Sequence, residues 1–318
     1  MSILIVGTLA FDTIETPWGR VERALGGSAS YSSFAANLFC PVKVAGVVGE
    51  DFGDDFFEFF HRRGIDTRGV TRAKGKTFFW SGRYGSDPNE RETLATEVNV
   101  FGDFDPVLPD DYKKCPYLFL ANMSPSLQLR VLDMCEGVEF SILDTMNYWI
   151  ENEPDALWEA LRRVDGVLLN DSEARQLCGT ASLIEAAEKI LTVHPRVVVI
   201  KKGEHGAMMV AEDFQCVVPA FPVAHVKDPT GAGDTFAGGL LGYVAAEGMV
   251  VERSLRGGMV MGTILASFCV EDFSVKGLED IKIDDIEYRI NVLYKMSNVE
   301  RIVPKIKNGK PQMESNEE

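Results

Sequence analysis

Short apolar runs of strand length alternate with amphipathic runs of helix length along most of this chain, and that alternation limits the possible folds more than any single motif. ILIVG at 3–7, KVAGVVG at 43–49, YLFLAN at 117–122, FSILDT at 140–145, GVLLN at 166–170 and VVVIKKG at 197–203 are near-continuous apolar runs. Strands of this kind are covered on both faces, as in parallel sheets. Between them, PDALWEALRRV at 154–164 and SLIEAAEKILTV at 182–193 repeat apolar residues at three- and four-residue spacing, which is helical. The expected fold class is α/β, with a mostly parallel central sheet and helices on both faces. A length of 318 residues with 46% hydrophobic content suits one such domain. No repeat or linker divides the chain, so residues 1–307 are expected to form a single domain and NGKPQMESNEE at 308–318 a polar, disordered tail.

One stretch departs from this rhythm. Residues 77–101, TFFWSGRYGSDPNERETLATEVNVF, read as two strands around the polar turn GSDPNE. Two-residue alternation puts Phe78, Trp80, Gly82 and Tyr84 on one face and Thr77, Phe79, Ser81 and Arg83 on the other. A second extended piece, TIETPWGRVER, turns at Pro17 to Gly19. Segments of approximately 13–25 and 77–101 therefore predict a small inserted sheet. Three uses are open to it: a lid over a ligand, strand contacts that close a homodimer, or an edge hairpin packed on the core.

A formal net charge of −16, from 32 basic and 48 acidic residues, argues against nucleic acid or an anionic membrane as partner. It also requires that any anionic ligand be held by local groups: aligned amides, a few basic side chains and a divalent cation. Cysteines 40, 115, 135, 178, 216 and 269 form no CxxC pair, and histidines 61, 194, 205 and 225 no ligand spacing, so neither disulfides nor zinc is indicated. No run is long enough for a membrane span, and MSILIVG lacks the flank and cleavage site of a signal peptide, so the expected location is cytoplasmic.

Residues 228–236, DPTGAGDTF, lead at once into the small apolar run AGGLLGYVA. Gly231, Ala232 and Gly233 let the backbone turn tightly so that successive N–H groups converge, and the following helix adds its positive end. The expected occupant is a phosphate. Asp234 then falls in the first helical turn, placed to take a proton from an attacking hydroxyl; the alternative is an acid that only caps the helix. GTLAFD at 7–12 ends an apolar strand in Asp12, at the carboxyl edge where parallel sheets bind ligands, and its carboxylate either accepts two hydroxyl hydrogen bonds or caps a turn. In GGSASYSSFAANL, Gly26 and Gly27 feed a small-residue helix that admits a ligand or a tightly packed neighbour. NDSEARQLCG puts Asn170 at a strand end and Glu173 near a helix start, suiting the hydration shell of Mg2+ and equally a helix capping box. Neither GxGxxG after the first strand nor GxxxxGK[ST] occurs, which disfavours a dinucleotide oxidoreductase and a P-loop NTPase.

In order and spacing these elements resemble one family, the PfkB-type or ribokinase-like carbohydrate and nucleoside kinases. DPTGAGDTFAGGL is similar to the family's C-terminal signature, and Asp12, the Gly26 and Gly27 pair, Asn170 with Glu173, and KKGEHGA at 201–207 follow in family order. The resemblance runs from Ile3 to about Phe273. It implies a three-layer α/β/α domain with a small β lid that transfers the γ-phosphoryl group of ATP to an alcohol. It further implies that Asp234 is the general base and that the amides of Gly231, Ala232, Gly233 and Asp234 form the anion hole. Asn170 and Glu173 would organise Mg2+, mostly through water; Gly203 and Gly206 would line the ATP phosphates and ribose; Asp12, Gly26 and Gly27 would hold acceptor hydroxyls. Asp228 and Thr230 resemble positions that accompany a monovalent cation, which adds potassium to the implied cofactors and Thr230 to the cofactor-binding residues. A non-catalytic nucleotide or sugar sensor on the same fold is the alternative, and the joint presence of Asp234, Asn170 and Glu173 argues against it.

Three departures bear on specificity. Tyr31 stands where many relatives have an acceptor-binding asparagine, DTMN at 144–147 differs from the family's DPN stretch, and Lys201 replaces a common threonine. Lys201 either neutralises nucleotide phosphate or is a solvated strand end. With Tyr31, the aromatics Phe78, Phe79, Trp80, Tyr84 and Phe101 would stack on an acceptor, or else form lid core. The expected acceptor is a ribonucleoside or a sugar.

Overall fold

The computed structural model describes residues 1–297, so the tail expected at 308–318 and the domain end at 307 lie outside the described residues. Thirteen strands are formed: β1 (Ile3–Val6), β2 (Ala10–Thr16), β3 (Gly19–Gly26), β4 (Val42–Val48), β5 (Asp66–Arg72), β6 (Phe78–Tyr84), β7 (Arg91–Glu97), β8 (Tyr117–Leu120), β9 (Phe140–Asp144), β10 (Gly166–Asn170), β11 (Val197–Lys201), β12 (Ala207–Ala211) and β13 (Gln215–Val218). The helices are α1 (Ser28–Ala36), α2 (Asp54–Arg62), α3 (Pro125–Met134), α4 (Asn147–Asn152), α5 (Pro154–Leu161), α6 (Asp171–Cys178), α7 (Leu183–Leu191), α8 (Ala232–Glu247), α9 (Glu252–Cys269) and α10 (Ile283–Ser297). Among the described residues no helix is long and apolar enough to cross a membrane.

Nine strands make the main sheet in the order β13-β12-β11-β10-β9-β8-β1-β4-β5. Every pairing from β11 to β5 is parallel, while β12 and β13 join antiparallel at one edge. After β1 the chain moves to one side, towards β4 and β5, and later crosses to β8 on the other. The carboxyl ends of β1 and β8 therefore flank a topological switch point, where open α/β sheets leave a crevice.

Alternation along β1 sets the layers. Ile3 and Ile5 enter one core with Phe34 of α1 and Leu240 of α8, whereas Leu4 and Val6 enter the other with Leu157 of α5 and Ile190 of α7. All of these are fully buried, and each contributes about 2 kcal/mol by removal from water. Helices α1, α2, α8, α9 and α10 cover the first face and α3 to α7 the second. The result is a three-layer α/β/α domain. Glycines in AGGLLG let α8 close on α1: a β-carbon on Gly238 would sit 2.1 Å from the carbonyl oxygen of Ser32, and one on Gly242 2.6 Å from Ala36 Cα.

The remaining strands form a separate four-stranded sheet, β3-β2-β6-β7. It begins earlier than the segment expected at 13–25, because β1 ends at Val6 and β2 starts at Ala10. Asp12 is therefore not the end of the first main-sheet strand. It lies inside β2, paired with Ala24 of β3 and Trp80 of β6. The apolar run across 3–11 conceals this change of sheet, since both strands are buried.

Candidate active site

The turn at 228–234 has the free backbone donors expected of an anion cradle. Gly231 takes φ 76° and precedes α8, which has no side-chain cap at its N-terminus. Among the described residues no acceptor meets the backbone amides of Gly231, Gly233 or Asp234. These donors lie at the positive end of the α8 dipole. Asp228 anchors the turn from behind: its Oδ1 accepts from the Thr230 amide at 2.9 Å and its Oδ2 from the Ser274 amide at 3.3 Å. Below the turn the ring of Tyr31 packs on Gly231. Tyr31 is fully buried and its hydroxyl has no hydrogen-bond partner.

Asp234, half-buried in the first turn of α8, has its carboxyl pushed up to about 7 by burial and then by the Asp144 charge, with Lys201 and Arg91 opposing. An acid of that strength is partly ionised at neutral pH, the condition for a general base. Asp12 is buried and is pushed up to about 8, first by burial and then by the charges of Asp228 and Asp234, against a bond from the Gly27 amide. Gly26 is required for this placement, because a β-carbon there would meet Asp12 Oδ2 at 2.0 Å. Gly27 follows at φ 92° and opens α1. Asp12, on the small sheet, and Asp234, on α8, thus lie near enough for the Asp234 charge to act on Asp12.

On the opposite side, Asn170 and Glu173 form a reciprocal capping box on α6. Asn170 Oδ1 accepts from the Glu173 amide at 2.8 Å, and Glu173 Oε2 accepts from the Asn170 amide at 2.7 Å. The capping account is therefore correct, and it leaves one Glu173 oxygen unused by these bonds. Burial pushes the Glu173 carboxyl up to about 7, with the Lys201 charge opposing. Among the described residues no three His, Cys, Asp or Glu side chains converge as a metal cage. A hydrated Mg2+ fits this sparse donor set, because it keeps most of its waters and needs one or two carboxylates beside the phosphates it accompanies.

Lys201 is not a solvated strand end. Its side chain is 17% exposed and pairs with Asp144, 5% exposed, at 3.1 Å from Nζ to Oδ2. Its ammonium also lies 3.3 Å from where a β-carbon of Gly233 would be, beside the anion cradle.

The small sheet reaches over these groups. Thr230 Oγ1 and the Tyr84 hydroxyl are 3.1 Å apart, joining β6 to the cradle. At the β6–β7 turn, Asn89 abuts Gly203, where a β-carbon would sit 2.6 Å from Asn89 Oδ1. Gly203 has φ 54° and Gly206 φ 84°, and Gly206 faces the Val218 carbonyl oxygen too closely for any β-carbon, at 2.1 Å. Arg91 lies over the Trp80 ring at 5.5 Å and its charge is felt at Asp234. Phe101 is buried, edge-on to Phe78 at 6.0 Å and stacked on Phe104 at 5.7 Å. In this structure it backs the small sheet.

Sequence reasoning assigned no role to Asp144, Tyr84 as a tether, Asn89 or Arg91. Asp144 had an available signal, since it ends a parallel strand at the edge where ligands bind. The other three sit on the β6–β7 hairpin, Tyr84 and Arg91 on its two strands and Asn89 in its turn, whose docking depends on the whole fold.

Residues 3–275 match the family described as pfkB family carbohydrate kinase. A cytidine kinase of Thermococcus kodakarensis is 27% identical over 266 residues, covering 81% of this chain and 94% of the relative. An inositol 3-kinase of Arabidopsis thaliana is 24% identical, covering 90% of this chain and 80% of the relative. The solved structure of a nucleoside kinase from Burkholderia thailandensis in complex with inosine superposes with a TM-score of 0.72 at 19% identity, covering 92% of this chain and 99% of that one.

Proposed function

The chain belongs to the pfkB family of carbohydrate kinases, phosphotransferases that act on hydroxyl acceptors, and on that premise we propose that it moves the γ-phosphoryl group of ATP to a hydroxyl of a ribonucleoside or sugar. One observation carries this reading: the uncapped amides of α8 and the Asp234 carboxylate belong to the same helical turn. A phosphate bound to the amides is then beside the group that removes a proton from its attacker.

Asp234 takes the proton as the acceptor oxygen approaches phosphorus, while the amides of Gly231, Gly233 and Asp234 stabilise charge on the phosphoryl oxygens; the Ala232 amide, expected to join them, instead donates to the Pro229 carbonyl at 3.3 Å and closes the turn. Lys201 adds a fixed cation beside them, and Gly203 and Gly206, whose missing β-carbons make room for Asn89 and the Val218 carbonyl, shape the backbone proposed to line the nucleotide. Mg2+ bound with ATP supplies further neutralisation of phosphate charge, its waters held by Glu173 and Asn170. Potassium is proposed as a second ion near Asp228 and Thr230, since each Asp228 oxygen keeps a lone pair beyond the amide bond it accepts.

Asp12, with the backbone at Gly26 and Gly27, holds acceptor hydroxyls. Tyr31 keeps a buried, unpartnered hydroxyl within reach of the Asp12 charge, and Phe101 packs against Phe78. A ribonucleoside is the preferred acceptor, because a cytidine kinase is matched over 94% of its length and Trp80 and Tyr84 lie on the cradle side of the small sheet. The opposite face, with Thr13, Phe79, Ser81 and Glu97, bounds a concavity of about 400 Å³ and is the surface proposed for a homodimer.

The test is ADP release from Mg·ATP with cytidine, inosine, adenosine, ribose, fructose and myo-inositol as acceptors. The proposal expects a nucleoside to give the highest kcat/KM. Stimulation by myo-inositol or a sugar alone would reassign the acceptor, and no stimulation by any of them would overturn the proposed acceptor class.

A further inference from the structure

Asp144 and Lys201 end two strands that do not touch. Asp144 is opposite Leu168 of the intervening β10, and Lys201 is opposite Asn170, two residues further along the same strand. Both side chains therefore leave on the same face and meet across β10. The Lys201 ammonium is 3.2 and 3.1 Å from the two Asp144 oxygens, and the Thr145 amide fixes the carboxylate by a further bond of 3.0 Å to Oδ1. Glu173 and Asp234 are the other acids whose charges act on Lys201. Without Asp144, the ammonium would be drawn towards one of them, and pairing with Asp234 would occupy the base.

We propose that Asp144 is a positioning residue: it holds the Lys201 ammonium at the Gly233 end of the anion cradle, ready for the terminal phosphates of the nucleotide and away from Asp234. This rests on the reading that phosphate binds at that cradle. A structural pair would matter for folding alone, whereas a positioned cation must distinguish nucleotides by their terminal phosphates.

Titration calorimetry with Mg·AMP-PNP and with AMP, on the parent and on Asp144→Asn, Lys201→Met and the double variant, separates the two. Asp144→Asn is expected to weaken AMP-PNP about tenfold and AMP less than about twofold. In the Lys201→Met background the same change should alter AMP-PNP affinity by less than about twofold, because its effect passes through the missing ammonium. Should Asp144→Asn fail to fold, Asp144→Leu with Lys201→Met replaces the ion pair by an apolar pair and should match Lys201→Met in AMP-PNP affinity. Equal weakening of both nucleotides, an equal loss in both backgrounds, or no change in Asp144→Asn overturns the proposal. If the parent itself binds AMP-PNP no better than AMP, the phosphate reading of the cradle fails and takes this one with it; turnover by Asp234→Asn remains a separate test of the base.

Discussion

The ring of Tyr31 lies so close to Gly231 that a β-carbon at residue 231 would be 2.4 Å from its Cγ, Cδ1 and Cε1 atoms. Helix α1, which follows Gly26 and Gly27, thereby supports the turn proposed to receive phosphate. The position of the cradle depends on a glycine for two reasons, the contact and a φ of +76°.

Gly231→Ala should therefore act on geometry. The left-handed backbone costs an alanine about 1–2 kcal/mol and the overlap with Tyr31 about 1–3 kcal/mol more, relieved by displacement of the turn. We expect kcat to fall at least about a hundredfold, since a shift of about 1 Å at a reacting group has that effect. Steady-state kinetics with thermal unfolding would check this, and a variant within threefold of the parent would remove the turn from the reaction.

Tyr31→Phe keeps the ring and deletes a buried hydroxyl that has no partner. Stability should hold or rise by up to about 1 kcal/mol, because an unsatisfied group is removed. The acceptor KM should rise about tenfold while the ATP KM stays put, as expected for loss of one ligand hydrogen bond. Unchanged values for both substrates would take Tyr31 out of acceptor binding.

The carboxyl values predict the pH response of both activity and stability. Asp234, as the proposed base, would work deprotonated, and its carboxyl is pushed up to about 7, chiefly by burial, so kcat/KM should climb through that pH. Asp12 at about 8, with Glu173 and Asp234 at about 7, holds protons in the folded protein that an unfolded chain has released. Their contribution to stability is complete below the unfolded carboxylate pKa, about 4, and is lost as pH rises through 7 to 8. The Tm of the ligand-free protein should fall from pH 5 to pH 8, and Asp12→Asn should flatten that fall. A Tm that rises over the same range contradicts the assignment.

Much of this arrangement was legible in the sequence, for physical reasons that differ by residue. Gly231 to Asp234 could be read because a tight turn before a helix needs small residues, and the acid falls within it at a fixed offset. Asn170 and Glu173 could be read because a capping box is local. Lys201 could be noticed but not judged, since its burial depends on Asp144, 57 residues away and two strands across. Asp12 was legible as a site residue but not as a member of β2, because apolar residues continue through both strands. Strands β5 and β13 carried weak signals for another reason: as edge strands they are partly exposed, so they lack the continuous apolar run of a central strand.

Tyr84→Phe tests the small sheet as a cover. Losing the contact between Tyr84 and Thr230 should cost no more than about 1.5 kcal/mol of stability. It should raise the KM values of nucleotide and acceptor together, with little change in kcat, because the sheet tethers to the cradle between both sites. Hydrogen exchange on β6 and β7 provides the independent reading, with faster exchange expected; unchanged exchange and KM values would show that the tether does not hold the sheet.

The central claim is that Asp234 removes the acceptor proton at the mouth of the cradle, and Asp234→Asn measures it most directly. The amide preserves shape and the backbone donors, so Mg·ATP binding by calorimetry should stay within about threefold of the parent while turnover falls by about a thousandfold or more. Turnover equal to the parent's, with the acceptor that the panel identifies, would contradict the account.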